Sequence, residues 1–133
     1  MDYRIWALVA LFGWGVWGFM SKLLTRDMSA AVLAFWSNIG SLALIVAYVV
    51  VERAARWQRN AEFALVAGVF AGIATVAFYI AVKNGPGSVV FPLTGMYILI
   101  PALLGFILLR EPVTASHVVG IACAGAAIFF LSR

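Results

Sequence analysis

The chain has 133 residues, 65% of them hydrophobic and only 11% charged, with a formal net charge of +4. Soluble domains carry about a quarter charged residues, so this chain cannot cover a water-facing surface and its main solvent must be lipid. The positive charge is scattered over short connections with no basic block to grip nucleic acid, so no nucleic-acid partner is expected.

A helix needs about 20 residues to cross the hydrocarbon core at 1.5 Å per residue. The first apolar run, residues 5–24, meets that length. It contains GWGVWG, Gly13 to Gly18, a letter-for-letter match to the dinucleotide-binding G-x-G-x-x-G. That fingerprint needs a strand before it and an acid about 20 positions on. Here the six residues sit inside a continuous apolar run, and the residue at that distance is Asn38. The glycines therefore read as gaps for close helix contact, with Trp14 and Trp17 standing between them as ring walls. Trp14, Gly18 and Lys22 share one helix face, flanked by Trp17 and Ser21. Lys22 has two readings, a lysine snorkelling to the interface or a substrate contact. Only Arg4, offset by Asp2, precedes the run, and Lys22 and Arg26 follow it, so a retained span is expected rather than a cleaved signal.

The second run, 31–51, carries Ser37, Asn38 and Ser41 within one turn. Hydroxyls in membrane helices often bond their own backbone or join helices. Asn38 is harder to dismiss, because its amide needs partners wherever it lies. The third run, 63–82, carries Thr75 and Tyr79, with Lys83 just beyond, at successive spacings of four, and a G-x-x-x-G in Gly68 and Gly72. The fourth, 88–109, carries Thr94, Tyr97 and Pro101, with Pro92 nearer its start. Pro101 cannot donate to the carbonyl of Tyr97, so a bend is expected there, with Pro92 a second bend position. The fifth, 113–131, has His117 near its start and no polar patch. Its small residues Gly120, Ala124 and Ala127 form a stripe, with Gly125 adjacent, that suits packing against a partner such as its own copy.

The connections TRDMSA, ERAARWQRNAE, KNGPG and REPVTAS are short and polar. Without water each span must satisfy its own backbone, which helices do and these non-alternating runs could not do as strands. The expected fold class is an all-α integral membrane protein, a bundle of five transmembrane helices forming one domain over residues 1–133. The polar patches of the first four spans are expected to line a common cavity. No Asp or Glu lies within a span, so no buried carboxylate is evident for proton exchange. One His and one Cys make no metal site, and no nucleophile has a base and an orienting partner. No catalytic residue, metal or cofactor is expected, and the chain does not read as an enzyme.

Five spans put the termini on opposite sides. Arg4, Arg53, Arg56, Arg59 and Arg110 then lie on the N-terminal side, and Lys22, Arg26, Lys83 and Arg133 on the other. Positive residues favour the cytoplasm, and five against four is nearly balanced. Insertion in both orientations is therefore expected.

Three segments in order carry a resemblance across nearly the whole chain. They are WGVWGFMSK, then FYIAVKNGPGSVVFPLTGMY, then LLREPVTASHVVGIACAGAAIFFL. The chain resembles a single EamA-type unit of the drug/metabolite transporter superfamily, with Glu111 in the acidic position of the last segment. Two departures stand out. Arg110 replaces the usual glycine before Glu111, and Ile98 stands where a proline is expected, with Pro101 one turn later. The small multidrug resistance branch is a weaker match, since it has four helices and an acid in the first. The resemblance implies one half of an inverted repeat, completed by a second copy in an antiparallel homodimer. It implies a secondary transporter of small organic metabolites or drug-like compounds, working by alternating access. The candidate substrate-binding residues are Trp14, Trp17, Gly18, Lys22, Asn38, Thr75, Tyr79, Thr94 and Tyr97. Gly120, Ala124 and Ala127 are the candidate dimer contacts. The expected setting is multi-pass in the inner (plasma) membrane of a bacterium or archaeon, with lipid and a small-molecule substrate as partners. The rival reading is a scaffold subunit that does not transport, distinguished by tight apolar packing where a cavity is expected.

Overall fold

The computed structural model describes residues 2–54, 56–110 and 112–131, and every regular element among them is helical. The chain divides into two compact units, one ending at Asn84 and the other beginning at Gly85.

The first unit holds α1 (Tyr3–Leu24), α2 (Ala30–Val51) and α3 (Ala61–Asn84). Each is long and apolar enough to cross a membrane. Asp2 starts α1 by accepting the Arg4 N–H at 3.0 Å, and Ser29 starts α2 by accepting that of Val32 at 3.3 Å. Both satisfy donors that the first helical turn leaves without partners. At the other end of α2 the Arg53 and Ala54 amides donate back to Val50 and Val49. This is a Schellman closure with Arg53 in the left-handed region at φ 51°. α3 packs against both α1 and α2. Its buried residues, Tyr79 and Val82, lie in its C-terminal third, and α1 buries Gly18 and Ser21. Large side chains elsewhere on the three helices, such as Phe12, Leu44 and Phe70, are exposed, as lipid-facing groups are.

Gly68 and Gly72 face open space, with nothing of this chain within 4 Å of a Cβ built at either position. The G-x-x-x-G of α3 is therefore not used for packing among the described residues. Gly13, Gly15, Gly120 and Gly125 are open in the same sense.

The second unit holds α4 (Gly87–Gly95), a 3-10 turn (Met96–Ile98), α5 (Leu99–Leu108) and α6 (Ala115–Leu131). Residues Gly87–Leu108 together are long and apolar enough to cross a membrane. The 3-10 turn contains Tyr97, four residues before Pro101. Without an amide hydrogen on Pro101, the Tyr97 carbonyl loses its α-helical donor and meets the proline ring, so the local winding tightens. Pro92 sits inside α4, which continues through it. α6 packs on α4. At 17 residues α6 is at the short end for a span, and it begins at Ala115 rather than at residue 113. The reason is local. Thr114 Oγ1 accepts the His117 N–H at 3.3 Å while the Thr114 N–H reaches His117 Nδ1 at 3.5 Å, a reciprocal cap that starts the helix. His117 also stacks on Phe106, with ring centroids 6.0 Å apart.

Arg110, at the position where the resemblance leads one to expect glycine, has φ 54°. A side chain in that left-handed region costs roughly 1–2 kcal/mol, which glycine escapes. Arg110→Gly is expected to raise stability by about 1 kcal/mol, read as a higher midpoint in thermal unfolding of the purified protein. Glu111, the acidic residue of that segment, lies outside the described residues.

Candidate functional site

Among the described residues, polar and aromatic side chains from three helices meet around Trp17. Its indole Nε1 donates to Ser37 Oγ at 3.0 Å and to the Tyr79 hydroxyl at 3.1 Å, a single N–H shared between α2 and α3. Its ring stacks on Phe78, with centroids 5.0 Å apart and planes at 23°, and meets Tyr79 edge-on at 6.0 Å and 81°. Tyr79 is 1% exposed and Trp17 38%. Ser37 lies about 5 Å along α2 from its midpoint, and Trp17 about 5 Å along α1 from its own, both towards the α1–α2 turn. The cluster thus lies at hydrocarbon depth, where an unmade hydrogen bond is costly. Because the indole is the donor in both contacts, the hydroxyl hydrogens of Ser37 and Tyr79 remain for a third group. With Tyr79 buried, the parts of the cluster that reach the surface are the half-buried Ser37 and the exposed portion of the Trp17 ring.

Towards the α1–α2 turn, two lysines tie the helices reciprocally. Lys22 Nζ donates to the Val82 carbonyl in the last turn of α3 at 2.8 Å. Lys83 Nζ donates to the carbonyls of Thr25 and, at 3.1 Å, Met28, just past the end of α1. Carbonyls at helix C-termini lack intrahelical donors and carry partial negative charge, so an ammonium from the neighbouring helix is well placed. Thr25 Oγ1 donates to the Lys22 carbonyl at 2.7 Å and closes the same helix end. Through this bond Lys22 ties α1 to α3.

Of the residues singled out in the sequence, Trp17 and Tyr79 meet in the cluster, while Gly18 and Lys22 lie on the same side of α1, facing α3 with Ser21. Trp14 is not brought to it and is 64% exposed. Asn38 donates to Ala34 O at 2.7 Å and Thr75 to Ala71 O at 2.8 Å, each within its own helix. Thr94, in the second unit, likewise donates to Val90 O at 2.7 Å, and Tyr97 is exposed in the 3-10 turn. Ser37 and Phe78 complete the cluster. A sequence signal existed for each: Ser37 adjoins Asn38 in the same polar turn, and Phe78 precedes Tyr79. Among the described residues no group of three His, Cys, Asp or Glu side chains gathers to hold a metal. Cys123 is a free, exposed thiol on α6.

The EamA-like transporter family matches residues 3–133 of the chain. No curated protein and no solved structure matches it.

Proposed function

Since the chain belongs to the EamA-like transporter family and is an integral multi-pass membrane protein, we propose that it is a secondary transporter of small organic metabolites or drug-like compounds. It works by alternating access as an antiparallel homodimer in the inner membrane of a bacterium or archaeon. The observation that carries this reading is the Trp17–Ser37–Tyr79 cluster, a hydrogen-bonding site at hydrocarbon depth among three long apolar helices. Trp17, Tyr79 and the adjoining Gly18 form the first-unit part of the substrate path. Trp14, Asn38, Thr75, Thr94 and Tyr97 join it as the copies move, and residues 1–133 act as one domain. Helices turned through the membrane by a second, inverted copy put the substrate near the midplane. Rocking one copy against the other then opens each side in turn, and a solute gradient supplies direction because the two states are equivalent. The near balance of basic residues supports insertion of both orientations. The open Gly120, with Ala124 and Ala127 along α6, supports that helix as the dimer contact.

The test uses symmetry about Cys123, which stands at the middle of α6. In a Cys123→Ser background, Ser116→Cys and Phe130→Cys place thiols seven residues either side. Co-expressed in membranes, an antiparallel pair cross-links 116 to 130, whereas a parallel pair links 116 to 116 and 130 to 130. Only parallel links, or substrate uptake by a strictly monomeric protein in vesicles, would sink the dimer. A dimer that binds no member of a substrate library would favour the scaffold subunit.

A further inference from the structure

Beyond the cluster, the first unit has a basic cleft of about 320 Å³ at the end of α1. Three of its six lining residues are cations, Lys22, Arg26 and Lys83. Asp27, the nearest carboxylate in sequence, does not line it. The carbonyls that Lys22 and Lys83 bond are themselves neutral and hold the two ammonium groups at the cleft. The remaining walls are apolar, Phe19 and Leu23.

Phe19 also belongs to a second groove, an apolar one of about 380 Å³ that runs along the outer face of α1 from Leu11 to Met20. Its floor is Gly15, whose missing side chain leaves nothing within 4 Å of a built Cβ. Cleft and groove therefore adjoin at Phe19. Their order along α1 is the order of a lipid in its leaflet: charge near the helix end, apolar surface towards the bilayer centre. The groove spans about 13 Å of helix rise.

We infer that this combined surface binds one anionic phospholipid, its phosphate in the Lys22–Arg26–Lys83 cleft and an acyl chain along the Gly15 groove. Basic side chains clustered at a membrane surface select anionic headgroups, and a soluble phosphate would have no use for the groove. The site stands on the geometry of the first unit alone and does not depend on the transport reading.

Native mass spectrometry of the intact protein, released from detergent with added lipid, reads this directly. Dioleoyl phosphatidylglycerol is expected to be retained in preference to dioleoyl phosphatidylcholine. Arg26→Gln lies on an exposed turn and should weaken phosphatidylglycerol retention roughly fivefold, the factor for about 1 kcal/mol per basic residue at an anionic surface. Gly15→Phe adds a ring where a built Cβ meets nothing within 4 Å, and should weaken retention of the dioleoyl lipid but not of its dihexanoyl counterpart. Three results overturn the inference. Equal retention of the two headgroups removes the charge selection. Displacement of the lipid by glycerol phosphate alone assigns the cleft to a soluble anion. Loss of dimer rather than lipid on Gly15→Phe assigns the groove to a second copy.

Discussion

Replacing Trp17 by alanine is expected to produce the largest single loss, in stability and in solute binding together. The ring stacks on Phe78, and its N–H serves hydroxyls on two other helices. In lipid the hydrophobic term is weak, because an apolar side chain leaves one apolar solvent for another. What remains is dispersion lost to the gap and a hydrogen bond lost at hydrocarbon depth. Trp17→Ala should therefore cost about 2–3 kcal/mol, less than the ~3–5 kcal/mol of a fully buried ring in a water-soluble core. The conservative change separates the two contributions. Trp17→Phe keeps one aromatic ring beside Phe78 and removes the pyrrole half with its N–H, the lost hydrogen bond costing about 1 kcal/mol. Both are read by unfolding in mixed micelles. If the cluster is the substrate site, Trp17→Phe also abolishes the thermal shift given by any bound solute. A stability loss with an unchanged solute shift would leave Trp17 structural and move the site elsewhere.

The second large effect is expected at Lys22. Its ammonium reaches the Val82 carbonyl, and Val82 is fully buried. Lys22→Met keeps the aliphatic stem but withdraws the charged donor. Hydrogen bonds to charged groups contribute ~1.5–3 kcal/mol, and a buried carbonyl left without this donor gains no water in exchange. A loss of about 2 kcal/mol is expected in the same unfolding measurement. Solute selectivity decides the role. A helix tie lowers the affinity of neutral and anionic solutes alike, whereas a substrate contact makes the loss fall on anionic solutes alone and leaves stability unchanged.

The helical spans were legible because the bilayer imposes their length and forbids unpaired backbone. Apolar runs near 20 residues therefore locate α1, α2 and α3 within two residues at each end. The short start of α6 was not, since the Thr114–His117 cap is a side-chain geometry and hydropathy does not sense it. Arg110 shows the reverse case. Its departure from the expected glycine was visible as a letter, but the left-handed backbone behind that glycine appears only in the fold.

The site divides along the same line. Composition determined lipid as the solvent, and helical spacing put Trp17, Gly18, Ser21 and Lys22 on neighbouring strips of α1. Tyr79 and Lys83 likewise fell one turn apart on α3. Which neighbour each strip meets was decided by packing. Successive residues on a helix point about 100° apart, so the rotation of α2 that aims Ser37 at Trp17 turns Asn38 back to its own backbone. Nothing in the residue types sets that rotation, because a serine and an asparagine are both able to accept an indole N–H. The same holds for the glycines of GWGVWG. Their lack of bulk is a property of the sequence, but Gly18 is buried while Gly13 and Gly15 look outward, and only the placement of α3 against α1 makes them different.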